Sequence, residues 1–212
     1  MGYSLTSTPT SWRDRIVHDG EDKEGWVAAR ETGLGASDVK QYAKPSSVDK
    51  YVAAKIRPRT FFGNEVTESG HRWEPMILAY LGVPGNTALV HAPGNSRMFA
   101  TPDGIQDEAV FTLAEAKARH GVIKPNPDAG EWRQLAWQLM CFPEAELVRF
   151  GTATLLINQH GEYEVREGGY SVLDVYRDHP KIVAATAQIL PIAEQVLAAL
   201  DAAQKAMKEV QF

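Results

Sequence analysis

The sequence predicts a mixed α/β domain in which helices pack on a central sheet. Runs rich in β-branched and aromatic residues, bounded by Gly, Pro and Asn, lie between residues 88 and 168 and are typical of strands. Segments with the apolar spacing of helices precede these runs, interrupt them once and follow them. The 212 residues contain no internal repeat and no low-complexity linker, so we expect a single domain.

The first part of the chain predicts short helices broken by Gly and Pro. Residues 36–44 (ASDVKQYAK) and 46–56 (SSVDKYVAAKI) have the composition of helices. Residues 71–82 (HRWEPMILAYLG) predict a longer helix that Gly82 closes, with Pro75 in its first turn. We expect these helices to precede the sheet.

The middle of the chain predicts the strands, and a turn at Pro-Asp-Gly divides two of them. In chain order the predicted strands are residues 88–92, 96–104, 109–119, 146–158 and 162–168, of which the last two form a hairpin.

Two more helices complete the predicted domain. Residues 131–142 (EWRQLAWQLMCF) have helical spacing, with Leu135 and Leu139 on the apolar side. A long Ala-rich segment from Pro180 to about Val210 predicts a C-terminal helix, which Pro191 should interrupt.

Composition excludes several classes of protein. The net charge of −5 argues against a protein that coats nucleic acid through bulk charge. Cys141 is the only cysteine, which excludes an intramolecular disulfide and any four-cysteine zinc or iron–sulfur site. The N-terminal MGYSLTSTPTSW lacks the pattern of a signal peptide, and we expect no membrane-spanning segment. These observations favour a cytoplasmic location.

Asp103, Glu115 and Lys117 form the candidate chemical site. Asp103 lies in the predicted turn, while Glu115 and Lys117 stand at positions i and i+2 of a strand and therefore share one face. Two carboxylates on adjacent strands suit a hard divalent cation such as Mg²⁺, with the backbone carbonyl of Ala116 as a third ligand. Lys117 would position or deprotonate the attacking water and counter the charge of the transition state. The pattern predicts phosphodiester hydrolysis.

A purely structural interpretation of these residues stays open. Pro-Asp-Gly is a common turn, and a Glu and a Lys two residues apart on an edge strand usually form a solvated pair. The apolar residues Val110, Phe111, Leu113 and Ala114 predict a buried strand instead, which makes a solvated pair less plausible.

Five segments, taken in order, resemble a known nuclease family. The TPDG at 101–104 and the EAK at 115–117 resemble the PD-(D/E)xK nuclease signature. Residues 30–39 (RETGLGASDV), 70–81 (GHRWEPMILAYL) and 134–141 (QLAWQLMC) are similar to motifs of one branch, the phage-type alkaline exonucleases of the YqaJ and lambda exonuclease group. Each segment is weak evidence alone, but their shared order is specific.

The resemblance implies a fold and a domain organisation. We expect a restriction-endonuclease-like core, with a central mixed β-sheet flanked by helices. The whole chain 1–212 would be one nuclease domain. Its parts would be an N-terminal extension (1–25), a nuclease core (26–165) over which the motifs agree, and a C-terminal helical segment (180–212).

The resemblance also implies roles for residues at the reaction centre. Asp103, Glu115 and the Ala116 carbonyl would bind the metal, Lys117 would be the catalytic lysine, and Glu74 would assist a second ion or an ordered water. Gln138 would touch the same centre from its helix. Without the resemblance, Glu74 could be a Glu favoured by a helix dipole, and Gln134 and Gln138 could be surface residues of an amphipathic helix.

A second set of residues would recognise the end of the DNA. The resemblance assigns Arg30 and Ser37 to a terminal 5′-phosphate, and Thr101 would add a hydroxyl beside Asp103. Ser37 could equally cap a helix, and both roles are compatible because a helix N-terminus binds phosphate. Because the chain is acidic, we expect the basic residues for DNA to be concentrated in residues 55–60 and 117–124.

The implied function is a Mg²⁺-dependent exonuclease, with Mn²⁺ as a substitute ion. It would degrade one strand of linear double-stranded DNA from 5′ to 3′ and leave 3′ overhangs for phage-type recombination. Expected partners are DNA ends, a single-strand-annealing recombinase and further copies of the chain, with a trimer as one form of the homo-oligomer. The expected location is the cytoplasm of the bacterial host of a phage or prophage. The alternatives are a restriction-like or structure-specific endonuclease on the same core, or a non-catalytic DNA-binding protein.

Overall fold

The structure, a computed structural model, describes residues 11–57 and 65–210. Its strands are β1 (Ile16–His18), β2 (Leu34–Gly35), β3 (Leu89–Ala92), β4 (Asn95–Ala100), β5 (Gly104–Gln106), β6 (Thr112–His120), β7 (Leu147–Ile157) and β8 (Tyr163–Tyr176). Its helices are α1 (Lys23–Glu31), α2 (Val48–Lys55), α3 (Glu65–Leu81), α4 (Ala129–Cys141) and α5 (Pro180–Val210).

The strands form two mixed sheets, and the predicted mixed α/β class is confirmed. The first sheet has the order β1-β3-β4-β2 and the second has the order β5-β6-β7-β8. In the first sheet β2 and β4 are parallel, and in the second β6 and β7 are parallel, while all other neighbours are antiparallel. Helix α4 packs against α5 and against strands of both sheets.

The division into two sheets differs from the single central sheet that the sequence predicts. The predicted strand 96–104 is broken, because β4 ends at Ala100 and β5 begins at Gly104. Pro102 lies in the gap, and proline has no N–H to donate to a ladder. The short link between the sheets therefore carries Asp103.

Two proline positions and one helix boundary differ from the predictions. Pro75 lies inside α3 rather than in its first turn, because α3 begins at Glu65. Pro191 does not interrupt α5. It is exposed, and the buried residues Ile189 and Ile192 on either side of it hold both halves of the helix on the core. The predicted helix 36–44 is only a 3₁₀ helix, Ala36–Lys40.

Helix α5 corrects the expectation that no apolar run reaches membrane-spanning length. Its segment Pro180–Met207 is long and apolar enough to cross a membrane, judged by length and composition alone. The helix also packs against α2 and α4 and buries Ile189, Ala193 and Val196 in the core. Core helices of water-soluble proteins share these properties, so α5 is weak evidence for a membrane segment.

The second sheet has two chemically different faces. On one face Ala114 and its alternate neighbours on β6 pack with Ile77 and Leu81 of α3. On the other face Leu113 and Phe150 belong to the core that includes α4. Because side chains alternate along a strand, Glu115 and Lys117 lie on the face toward α4.

Gly151 allows α3 to approach this sheet closely. A Cβ atom at Gly151 would lie 2.7–2.9 Å from three side-chain carbons of Leu81. These distances are shorter than side chains tolerate, so the helix position depends on the glycine. The same helix carries Glu74.

We expect Gly151→Ala to lower the free energy of unfolding by about 1–3 kcal/mol, because the added methyl overpacks a dense core. Urea denaturation would measure the loss. Gly94→Ala is the matched control, since no atom lies within 4 Å of a Cβ at Gly94. Equal stability of the two variants would contradict the close packing.

Candidate active site

The turn before β5 places Asp103 beside β6. β5 and β6 pair antiparallel, with Gly104 opposite Ala114. The Oδ2 atom of Asp103 accepts a hydrogen bond from the backbone N–H of Ala116 at 2.7 Å. The side chain of Asn86 donates to the Pro102 carbonyl at 2.9 Å and holds the turn. Asp103 is thereby fixed next to the peptide that follows Glu115.

Glu115 is a buried carboxylate with donors on both oxygens. Its side chain is 1% exposed. Gln134 donates to Oε1 at 2.7 Å and Gln138 donates to Oε2 at 2.5 Å. The Nζ of Lys117 also donates to Oε1. The carboxylate therefore joins β6 to two successive turns of α4.

The charges of this cluster shift the pKa values of its members. Burial raises the pKa of Asp103, and the negative charge of Glu115 raises it further. The charge of Glu74 acts on Asp103 in the same direction, while Lys117 opposes it. Burial lowers the pKa of Lys117, but Glu115 and Asp103 outweigh that effect and hold this pKa above its ordinary value. Lys117 is therefore an ammonium, suited to bind water and phosphate rather than to remove a proton.

The donor set of the cluster fits a divalent cation. The carboxylates of Asp103 and Glu115 repel each other, and Glu74 adds to the repulsion. Lys117 and the hydrogen bond from the Ala116 N–H act against it. In the part of the chain that the structure describes, no three His, Cys, Asp or Glu side chains converge as a metal-binding group. An ion would thus rely on Asp103, Glu115 and the Ala116 carbonyl, and take its remaining ligands from water and substrate, as Mg²⁺ commonly does.

Helix α4 is fixed against the sheet at both of its ends. Asp128 caps the N-terminus and forms a capping box with Glu131. Glu131 also accepts hydrogen bonds from both terminal nitrogens of Arg119, on β6, at 2.7 and 2.8 Å. Further along the helix, the Trp137 indole donates to the Phe99 carbonyl at 3.0 Å. These contacts fix the position of α4 along β6, and thereby place Gln134 and Gln138 beside Glu115.

A second polar cluster surrounds Arg30. Its guanidinium donates to the Ser37 hydroxyl at 3.1 Å and lies 3.8 Å from the carboxylate of Asp38. It also stacks over the Trp26 ring, 4.4 Å from the ring centroid. A Cβ at Gly35 would lie 2.5 Å from the same guanidinium. The acid beside Arg30 is buried, so the contact is not a surface ion pair.

The two clusters lie at the same edge of the first sheet. β2 and β4 run parallel, with Leu34 opposite Met98. Ser37 follows the end of β2, and Thr101 and Asp103 follow the end of β4. The carboxyl ends of parallel strands lie at the same edge of a sheet, and ligands commonly bind at that edge. The Thr101 hydroxyl is buried there with no hydrogen-bond partner among the described residues.

Comparison with solved structures shows which proteins share this fold. An alkaline exonuclease from Laribacter hongkongensis superposes with a TM-score of 0.70 and 22% identity, over 89% of this chain and 98% of that one. The chain has the alkaline exonuclease fold. The fold that the sequence resemblance implied is thereby confirmed. A structure of the Laribacter protein in complex with dAMP gives a TM-score of 0.60 at 16% identity, over 89% and 100% of the two chains.

A phage-related exonuclease from Haemophilus somnus 129PT shares the same fold. Its TM-score is 0.59 at 11% identity, over 81% of this chain and 96% of that one. No protein-family model and no curated protein matches the sequence.

Within the exonuclease fold, the predicted site residues fall into the two clusters. Asp103, Glu115, Ala116, Lys117 and Gln138 come together, Glu74 acts on them through its charge, and Arg30 meets Ser37. Their chemical roles stay predictions.

The sequence interpretation did not include Gln134 in the site. Its spacing of four residues from Gln138 was the available signal, because residues four apart lie on one helix face. Arg119 and Lys124, in the predicted basic stretch 117–124, are paired with Glu131 and Asp128. Residues 58–60 of the other basic stretch lie outside the described residues.

We expect Asp103→Asn to raise the melting temperature in chelator, because it removes one of two mutually repelling carboxylates. A gain of about 1 kcal/mol corresponds to about 2–4 °C for a chain of this size. Mg²⁺ should raise the melting temperature of the wild type and not that of the variant.

Differential scanning fluorimetry with and without Mg²⁺ measures both effects. Asp178→Asn, at an exposed position, is the control and should behave as the wild type. An equal Mg²⁺ response of Asp103→Asn would remove Asp103 from the metal ligands.

Proposed function

We propose that the protein is a Mg²⁺-dependent DNA exonuclease that digests one strand of linear duplex DNA from its 5′ end. The observation that carries this proposal is that the half-buried Asp103 and the buried Glu115 lie together beside the Lys117 ammonium. Arg30 and Ser37, at the same edge of the first sheet, supply a second anion-binding position for a terminal phosphate. The exonuclease fold supports the assignment.

Each side chain of the proposed site has a distinct task. Asp103, Glu115 and the Ala116 carbonyl would hold Mg²⁺ or Mn²⁺, which supplies positive charge to the phosphate oxygens as a Lewis acid. Gln134 and Gln138 fix the orientation of the Glu115 carboxylate. The Lys117 ammonium orients the attacking water and stabilises negative charge on the phosphate in the transition state.

The direction and partners of the reaction are part of the same proposal and rest on the sequence resemblance. Digestion from 5′ ends leaves 3′ single-stranded overhangs, which are the substrate of a single-strand-annealing recombinase. We expect such a recombinase as the partner. We also expect the protein to form a homo-oligomer, with a trimer as one form, and to act in the bacterial cytoplasm during phage-type recombination.

Linear and closed circular duplexes test the function directly. The wild type should release nucleotides from linear DNA with Mg²⁺, leave the circle intact, and stop in chelator. Lys117→Ala should lower the rate on linear DNA by about 10²–10³-fold, because it removes one stabilising charge from the transition state. Lys205→Ala, an exposed lysine on α5, is the control.

DNA binding by Lys117→Ala should stay within about threefold of the wild type, since its task is confined to the transition state. Cutting of the closed circle would instead assign an endonuclease. Turnover of Lys117→Ala equal to that of the control would make the Glu115–Lys117 pair structural.

Arg30→Ala should remove the preference for phosphorylated ends. A guanidinium grips a terminal phosphate with two hydrogen bonds, and a 5′-hydroxyl end offers it no such partner. Single-turnover rates on 5′-phosphate and 5′-hydroxyl ends should differ in the wild type and converge in the variant. Arg13→Ala removes an exposed arginine that pairs with Asp107 and is the matched control.

The melting temperature of Arg30→Ala separates recognition from folding. A stable variant that keeps the wild-type end preference would exclude Arg30 from end recognition. An equal loss on both substrates, together with a lower melting temperature, would make Arg30 a structural residue.

A further inference from the structure

A cavity lies on the face of the second sheet toward α4, beside the residues of β7 that pair with Lys117 and Arg119. Its volume is about 180 Å³. Thr152 and Thr154 of β7 line it, together with Arg166 and Ser171 of β8. Ile123 and Pro125, from the loop between β6 and α4, and Gly168, Gly169 and Tyr170 of β8 complete its lining.

A β-bulge creates this cavity. The pairing of β7 with β8 shifts between Ala153 and Leu155, so that Thr154 has no partner residue on β8. The bulge separates the two strands and leaves space above the sheet. Gly168, with a φ of 62°, lies in the left-handed region where the strand bends.

The cavity is continuous with the row of β6 residues that includes the catalytic candidates. Thr152 is the strand partner of Lys117, and Thr154 is the partner of Arg119. Neighbouring strands lie about 4.8 Å apart, so the cavity between β7 and β8 lies roughly 5–10 Å from the Lys117 backbone. This offset is too large for the scissile phosphate itself and suits a neighbouring nucleotide.

The polar groups of the cavity include unsatisfied donors. The Thr154 side chain is 4% exposed, and its hydroxyl has no hydrogen-bond partner among the described residues. Thr152 and Ser171 share a hydrogen bond of 2.6 Å, which leaves further capacity on their hydroxyls. Arg166 forms no ion pair with any residue that the structure describes. The Thr154 hydroxyl is open to the cavity, so it is able to donate a hydrogen bond to a ligand there.

The chemistry of the lining favours an anion. No Asp or Glu of the described chain lines this cavity. The other cavity, of about 410 Å³, is lined by Glu144, Glu146 and Asp178 and would repel phosphate. Its arginine, Arg177, is already bonded to backbone carbonyls at the end of α4.

We propose that the cavity formed by Thr152, Thr154, Ser171 and Arg166 binds a backbone phosphate of the DNA strand adjacent to the scissile phosphate. The inference rests on the proposed function and adds a position to its substrate site. The hydroxyls donate to the phosphate oxygens, and Arg166 supplies the charge. This contact holds the substrate strand in register while Lys117 acts on the neighbouring bond.

The test measures DNA binding, which requires no cleavage. Fluorescence anisotropy with Ca²⁺ gives the Kd of Thr154→Val and Arg166→Ala for a duplex end. Thr154→Val should raise Kd about tenfold, consistent with one hydrogen bond to a charged group. It should keep or raise the melting temperature, because the lost hydroxyl had no protein partner. Arg166→Ala should lower the slope of log K against log salt by about one.

Duplexes with a single methylphosphonate identify the contacted phosphate. Each duplex carries one neutral linkage at a different position near the end. In the wild type one linkage next to the scissile bond should weaken binding about tenfold, and in Thr154→Val that same linkage should have no further effect. Thr112→Val, a buried threonine of β6 outside the cavity, and Lys205→Ala are the matched controls.

The possible outcomes distinguish this inference from the function on which it rests. If the wild type digests linear DNA but the effects of Thr154→Val and every methylphosphonate are additive, the cavity does not bind phosphate. If Thr154→Val lowers the melting temperature as well as affinity, the hydroxyl is structural and the inference fails. If the wild type neither binds nor digests DNA, the proposed function fails and the inference fails with it.

Discussion

The hydrogen bonds received by the Glu115 carboxylate determine the geometry of the site. Donors from α4 bind both oxygens, and Lys117 of the same strand binds one of them. A buried carboxylate without such donors would be strongly destabilising. The position of α4 along β6 is therefore fixed by these hydrogen bonds. The Arg119–Glu131 pair and the Trp137 indole hold α4 in the same position through contacts outside the reaction centre.

The two faces of the second sheet have different roles: one packs against α3 and stabilises the fold, and the other carries the charged cluster. Small and apolar side chains of β6 meet α3, where close packing excludes water and stabilises the sheet. The Glu115 carboxylate of the same strand faces α4, where it and Asp103 repel each other and lower the stability of the folded chain. A strand with this alternation can carry a strained charge cluster because its other face supplies compensating burial.

The sequence was sufficient to predict which side chains meet where the contact depends on local spacing. Glu115 and Lys117 share a face because they are two residues apart, and Asp103 reaches them through one turn. Contacts between distant segments were not predictable in the same way. The Arg119–Glu131 pair depends on how α4 returns over β6. The unpaired Thr154 depends on a bulge, for which Gly168 and Gly169 on the opposite strand are the only local signal. Pro102 carried a visible signal, since proline interrupts strand pairing, and it divided the sheet.

A substitution at Gly35 would change the Arg30 cluster without changing any of its charged residues. The guanidinium lies so close to the glycine backbone that a single methyl group would displace it. Asp38 holds the same guanidinium and Lys55, so a displaced Arg30 would leave Lys55 as the nearer cation. Altering an uncharged residue would therefore replace a planar guanidinium by a point charge as the cation beside Asp38. The net charge of the protein, and hence its general attraction to nucleic acid, would stay the same.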